Sequence, residues 1–412
     1  MSKQLNFWYG SIFGTYWMIY AVVSSFASVF LLAKGYSNSS IGITLAVANI
    51  LAVILQPITA NLADQSSKVG AIGISAAMTG MMMIFTIGMF IFGGGGVALC
   101  VTFALLIAWH TVLQPMFNSL TFKLEESGIA VNFGIARSAG SLAYSILCAV
   151  LGTIVEHLGI MSLPVTAEIT CAMLLVSLAL TKRTFDRAKQ ARQAEAQKEP
   201  QADLQKQAGA ESPAPETISL MEFIRRNKLF FVLNLGVVGL FFSNATLNNY
   251  MIQIVTDVGG TSEDMGRILG VMAFLEIPTM VFFSKLKRKF SCQLLLKVAA
   301  VGFVAKIGLC WLAGSVGMVY VSQFFQLVSF ALFLPGMVYF TGENMSPGEA
   351  VRGQALFTTM ITVTTIFSSL LGGWILDVSG AKTLTFIATL ATAAGAVVII
   401  AVVDRIKPKK GE

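Results

Sequence analysis

Glu276, Lys306, Glu168 and His110 each fall inside a long run of hydrophobic residues, and Arg137 opens another such run. An ionisable group at bilayer depth is costly, so each is a candidate for function or for a structural pair. At about 1.5 Å per residue, Glu276 lies some 16 Å into its helix and Lys306 about 22 Å from the cytoplasmic end of the next, so a cross-helix ion pair is geometrically possible. Such a pair serves either the solute or helix packing alone. For Glu168 and His110 the packing reading is preferred. Amides gather as well: Asn244, Asn248, Asn249 and Gln253 recur three to five residues apart, and Gln323, Gln326 and Ser329 do the same farther on. That spacing puts each set on one helical face, where it glues helices together or lines a polar cavity. The aromatics Tyr250 and Phe330 beside them favour the cavity. Amides donate and accept, which suits a neutral hydroxylated ligand.

The elements that position these residues are membrane helices. The 412 residues are 55% hydrophobic and 12% charged, more apolar surface than one water-soluble core can hide. A spanning helix needs roughly 20 mostly apolar residues. Such runs occur at 12 to 32, 41 to 63, 70 to 92, 97 to 118, 136 to 156, 161 to 181, 229 to 256, 265 to 284, 291 to 312, 315 to 341, 351 to 376 and 382 to 404. The ten-residue alternation of a transmembrane β-barrel is not the pattern here. The expected fold is therefore an all-α membrane protein of twelve transmembrane helices in two six-helix bundles. The first run has no small-residue cleavage site before it and reads as a retained span.

The basic residues report topology. With the N-terminus cytoplasmic, the inside loops hold Lys68, Lys123, the central basic segment, the cluster Lys285, Lys287, Arg288 and Lys289, and the tail from Arg405. The outside loops keep little beyond Lys34, Asp257, Glu263, Asp264, Asp377 and Lys382. That asymmetry predicts both termini inside and a multi-pass protein of the inner, cytoplasmic membrane. The net charge of +7 thus implies no nucleic acid. Residues 182–228 lack an apolar run and are rich in Lys, Arg, Gln, Glu, Ala and Pro; they predict a cytoplasmic linker, partly disordered around Glu211 to Glu216. It divides a bundle of residues 1–181 from one of residues 229–412. Gln56 and Pro57 before one basic loop, and Ile277 and Pro278 before another, faintly echo a duplication.

The stretch from Asn132 to Tyr144, NFGIARSAGSLAY, resembles the F-x-F-G-R-A-R-x-x-G motif that opens helix five in the oligosaccharide:proton symporters, the lactose permease-like members of the major facilitator superfamily. Asn6-Phe-Trp8, Leu55-Gln-Pro57, Asn61-Leu-Ala-Asp64 and the run from Gly270 to Glu276 extend the resemblance along the chain. It implies that Arg137 and Tyr144 hold and stack a sugar ring, that Glu276 accepts from its hydroxyls, and that Lys306 assists proton release. The family's helix-four glutamate is replaced by Ser119 or Asn118, its helix-ten histidine by Gln326 and its helix-ten glutamate by Ser329. The paired acid of helix seven and lysine of helix ten are replaced by Asn244 or Leu247 and by Gln323. If protons drive transport, Glu276 is the expected carrier, its protonation switched by the approach and separation of Lys306.

These readings converge on a secondary transporter that moves a small neutral polyhydroxylated solute (a sugar, glycoside or nucleoside) together with protons by alternating access. Arg137, Tyr144, Glu276, Asn244, Asn248, Asn249 and Gln326 would bind it, Glu276 and Lys306 would couple it to protons, and Asp64 and Glu343 would gate the cytoplasmic side. The expected partners are the solute, protons and the lipid bilayer, with the chain a monomer and no cofactor or metal. Methionines from Met78 to Met89 keep open an exporter or exchanger of aromatic or amphipathic compounds, and the altered charges a transport-incompetent sensor. Gly93 to Gly96 sit between apolar helices instead of between a strand and a helix, so they form no phosphate cradle. Without a nucleophile elbow or metal motif, an enzyme is not expected.

Overall fold

The computed structural model of the chain describes residues 2–65, 70–126, 133–196 and 220–406. All regular structure among them is helical. The long apolar helices are α1 (Gln4–Ala33), α2 (Asn38–Thr59), α3 (Gly70–Ile91), α4 (Val97–Asn118), α5 (Gly134–Leu158), α6 (Ser162–Ala188), α7 (Lys228–Asp257), α8 (Ser262–Lys289), α9 (Cys292–Leu312) and α10 (Val316–Asn344). A last apolar stretch, Glu349–Arg405, is two helices that meet at Gly380, whose φ of 78° lies in the left-handed region that other residues avoid. We call them α11 (349–379) and α12 (381–405). On α2 the exposed face is as apolar as the buried one: Ile43, Val47, Ile50 and Ile54 face outward while Ile41, Leu45, Ala48 and Ala52 face the core. A helix that is apolar all round at a protein's surface is solvated by lipid.

The first helix begins eight residues earlier than the hydropathy pattern places it, and α8 starts three residues earlier. Glu276 consequently lies about 21 Å from the start of α8, near the middle of the helix. The sixth helix also outruns its apolar stretch and continues to Ala196, so part of the expected linker is helical. A short helix, Leu220–Arg226, precedes α7. The segment around Glu211 to Glu216 lies outside the described residues.

The two halves repeat their irregularities. Pro57 in α2 is matched by Pro278 in α8, and Pro115 in α4 by Pro335 in α10. A π turn at Ala21–Ser25 breaks α1, and a kink at Tyr250 (φ −128°, ψ 24°) breaks α7. Gly42 and Gly266 stand at equivalent places near the starts of α2 and α8. A Cβ on Gly42 would come 2.7 Å from the Tyr250 hydroxyl and press on the Ser369 carbonyl; one on Gly266 would come 3.1 Å from Gly152 Cα. Each glycine thus lets its helix cross one from the other half at backbone distance.

These crossings, α2 on α11 and α5 on α8, lie toward the face opposite the termini, here called the distal face. Hydrogen bonds between described residues of the two halves cluster there. Asp377 accepts from the Asn38 backbone and side-chain nitrogens, each at 2.9 Å, and from the Ser39 amide at 2.7 Å. Gln253 donates to Asn38 (2.9 Å), Ser262 to Glu156 (2.6 Å) and Thr153 to Glu263 (3.1 Å). Ser28 donates to the Asn249 carbonyl, and Ser145 to that of Gly270 at 2.7 Å. The apolar core follows the same division. One cluster runs through the first half and on into the distal ends of α7, α8, α9, α11 and α12. A second, built on Phe230, Phe241, Phe303, Phe333 and Phe340, belongs to the second half alone and lies toward the face that carries the termini.

Candidate functional site

On α5, Arg137, Ser141 and Tyr144 are spaced i, i+4, i+7 and share one helical face. Arg137 Nη1 donates to Ser141 Oγ at 2.9 Å, and its guanidinium lies 4.3 Å from the Trp17 ring centroid. Gly140 makes this stack possible: a Cβ there would sit 2.5 Å from Trp17 Cδ1 and 3.2 Å from the Phe13 carbonyl. Trp17 continues into an aromatic cluster with Tyr20 (5.2 Å between centroids) and Tyr144 (6.3 Å), and Tyr20 and Tyr144 lie 5.9 Å apart. Tyr144 exchanges a 2.8 Å hydrogen bond with Ser25, the last residue of the π turn in α1. The turn shifts the helical register and brings Ser25 to the α5 face.

Gly140→Val should therefore displace the indole and unseat Arg137. The expected result is a protein that still inserts and purifies, with a tryptophan emission spectrum altered from wild type and solute binding lowered by an order of magnitude or more, about the worth of one charge-assisted hydrogen bond. Unchanged binding with altered fluorescence would show that Arg137 needs no aromatic seat.

Across from this surface, α8 supplies Glu276. Gln326 Nε2 donates to Glu276 Oε1 at 2.7 Å, and Lys306 Nζ donates to Gln326 Oε1 at 2.5 Å and contacts Met272 Sδ at 3.5 Å. The Glu276 to Lys306 contact is therefore bridged by an amide, with no direct ion pair of 4.0 Å or less. A 3-10 turn at Phe324–Leu327, followed by Ser329 at φ −101°, ψ −103°, breaks α10 and aims Gln326 between the acid and the base. Lys306 is fully buried and Glu276 half-buried. Glu276 lies within electrostatic range of Arg137 and Tyr20 in one half and of Lys306 in the other.

The amide stripes divide. The Asn249 side chain donates to Ser369 Oγ at 2.9 Å within the second half, and its backbone carbonyl accepts from Ser28, whereas the Gln253 side chain reaches Asn38 across the halves. Asn244 and Asn248 are half-buried with no hydrogen-bond partner among the described residues. Gln323 donates to Ser322 Oγ at 2.8 Å and to the Val319 carbonyl at 3.3 Å in its own helix, and to Cys310 Sγ of α9 at 3.7 Å. Ser329 is buried with its hydroxyl unpartnered. His110 stacks on Tyr16 (4.2 Å, 11° between planes), with Nε2 3.0 Å from the Tyr16 carbonyl, and Glu168 accepts from Thr86 across α3 and α6. Both tie helices of the first half together. Glu343 pairs with Lys287 at 2.6 Å within the second half, so this contact does not bridge the two bundles. The Asp64 and Ser119 side chains lie outside the described residues.

Trp17, Tyr20, Ser25 and Met272 were not among the residues singled out from sequence. The signal for the first three was present: Tyr16, Trp17, Tyr20, Ser24 and Ser25 concentrate aromatic and hydroxyl groups in one helix. Without the glycine at 140 placed beside them, nothing distinguished them from lipid-facing anchors.

The MFS_1 like family model matches residues 9–388. A "Putative sugar efflux transporter" of Deinococcus radiodurans is 26% identical over 125 residues, 30% of this chain and 32% of that protein. "Sugar efflux transporter A" of Dickeya chrysanthemi is 29% identical over 153 residues, 37% of this chain and 38% of that protein. The chain thus spans about a third of the length of these relatives. Among solved structures, nucleoside transporter NupG superposes with a TM-score of 0.70 at 13% identity, covering 98% of this chain and 100% of that one. A bacterial homologue of the lysosomal transporter Spinster, inward-facing and unoccupied, gives 0.63 at 12% identity over 98% and 97%. At such identities the structures establish the fold alone. With the family model matching residues 9–388, most of its length, the chain belongs to the MFS_1 like family.

Proposed function

We propose that the chain is a proton-coupled symporter of a small polyhydroxylated solute, working by alternating access in the cytoplasmic membrane. Counting the stretch broken at Gly380 as two crossings gives twelve, six on either side of the segment 182–228, with both termini cytoplasmic by the lysine and arginine asymmetry. In that orientation the distal contacts close the outer face.

The observation that carries the reading is the opposition of Arg137, on its aromatic support in one half, to Glu276 in the other. A guanidinium donor, a carboxylate acceptor and aromatic faces are what a pyranose or ribose ring needs. The free hydroxyl of Tyr20 and the unpartnered amides of Asn244 and Asn248 add neutral donors and acceptors. Because the groups belong to different bundles, a solute held by both ties the rocking of the halves to its own passage. Glu276 carries the proton, and Lys306, joined to it through Gln326, tracks its charge. The protein acts as a monomer.

Thermal shifts in detergent test this against disaccharides, monosaccharides, nucleosides and aromatic acids, since a ligand that binds only the folded state raises its apparent stability. A saturable shift with a sugar or nucleoside, lost in Arg137→Ala and weakened but retained in Glu276→Gln, whose amide carbonyl still accepts from a hydroxyl, is expected. A shift confined to aromatic compounds and indifferent to both substitutions would overturn the site. A second reading, export, draws on the names of the two sugar efflux relatives; it uses the same site with the solute gradient reversed.

A further inference from the structure

The charges at the centre do not balance. Among the described residues the groups between the halves are two cations, Arg137 and Lys306, and one anion, Glu276. The single carboxylate is already engaged. Glu276 and Lys306 are joined by the two ends of the Gln326 amide, at 2.7 and 2.5 Å, in a buried pocket with Met272. Arg137 has a serine hydroxyl at 2.9 Å and an indole face, neither of which carries charge. Its other acidic influence is Glu276 itself, beyond ion-pair distance.

A half-buried guanidinium has five N–H donors in one plane. One is spent on Ser141, and Trp17 covers a face, so the remaining donors leave edgewise toward the space between the halves. A solute that covers them must supply acceptors, and hydroxyls alone leave the charge uncompensated where the dielectric is low. Protonation of Glu276 during the cycle enlarges the deficit.

We infer that the transported solute bears one carboxylate beside its hydroxyls, a sugar acid, and that this carboxylate seats on the open edge of Arg137. The inference rests on the reading of the site as one for polyhydroxylated solutes, and it revises the neutral ligand expected from the amides alone. A planar carboxylate matches the planar fork in two parallel hydrogen bonds. The aromatic hydroxyls, Asn244 and Asn248 are left for the ring hydroxyls.

The experiment compares matched pairs in the purified full chain: galactose with galacturonate, glucose with glucuronate and gluconate, lactose with lactobionate. Thermal shift and isothermal titration are read for the wild type, Arg137→Gln and Arg137→Lys. The expected result is at least one acid that binds ten times or more tighter than its neutral partner, a preference erased by Arg137→Gln and partly kept by Arg137→Lys. Equal or tighter binding of the neutral partner, still sensitive to Arg137→Gln, would overturn the carboxylate and leave the polyhydroxylated site standing. Binding of an acid that is indifferent to Arg137→Gln would overturn the seat. No response to any of these saccharides or acids would bring down both readings together.

Discussion

Glu276→Gln is expected to abolish accumulation of the solute against its gradient while leaving exchange of solute across the membrane intact. Glutamine has the shape of the acid, and its carbonyl still accepts the 2.7 Å bond from Gln326 Nε2, so the chain from α8 to Lys306 survives. What disappears is the titratable oxygen. In a proton symporter the carrier must be charged in one half of the cycle and neutral in the other; a permanently neutral residue lets the loaded protein reorient but gives the proton gradient no grip. The check is paired. In liposomes with an imposed pH gradient, uptake by the variant should stop at equilibration, whereas counterflow against preloaded solute should run within a few-fold of wild type. Accumulation that persisted would put the proton on another group and leave Glu276 as a ligand alone.

The second large effect is expected at the opposite end of the cycle. Asp377, at the end of α11, accepts three hydrogen bonds from Asn38 and Ser39, so a carboxylate from one half caps the first turn of α2 in the other. Helix starts carry unpaired amide donors and a partial positive charge, which is why an anion is favoured there. Asp377→Ala should remove about 1–2 kcal/mol from the closed distal face, taking charged hydrogen bonds at the low end because the carboxylate is exposed. That is a shift of about 5- to 30-fold toward the distally open form. Spin labels at Ser40 and Val378 should move to a longer mean separation, and the Asn38 and Ser39 amides should lose protection from hydrogen exchange. An unchanged separation would mean that the crossings at Gly42 and Gly266 close the face unaided. The bond of Gln253 to Asn38 belongs to the same latch, so Gln253→Ala should act in the same direction with a smaller effect.

Hydropathy alone determined the helical, membrane-embedded character of this protein. A lipid-facing helix needs apolar residues all round, and that demand is local and additive along the chain. The rarity of charge at bilayer depth made Arg137, Glu276 and Lys306 legible for the same reason: lipid penalises each one where it stands. Local patterns failed where two distant segments had to meet. The amides of α7 looked alike in sequence, yet Gln253 reached across the halves to Asn38, Asn249 turned to Ser369 of α11, and Asn244 and Asn248 have no partner among the described residues, a choice made by the kink at Tyr250 and the approach of α11. Trp17 was one aromatic among many until Gly140 opened a gap for it on a helix more than a hundred residues away. An ion pair of Glu276 with Lys306 was geometrically allowed, and only the broken α10 put the Gln326 amide between them. Composition and periodicity thus determined which groups exist and at what depth, because solvation acts on each residue separately. Which of them touch, and which cation is left without an anion, was decided by tertiary packing, because those energies depend on pairs.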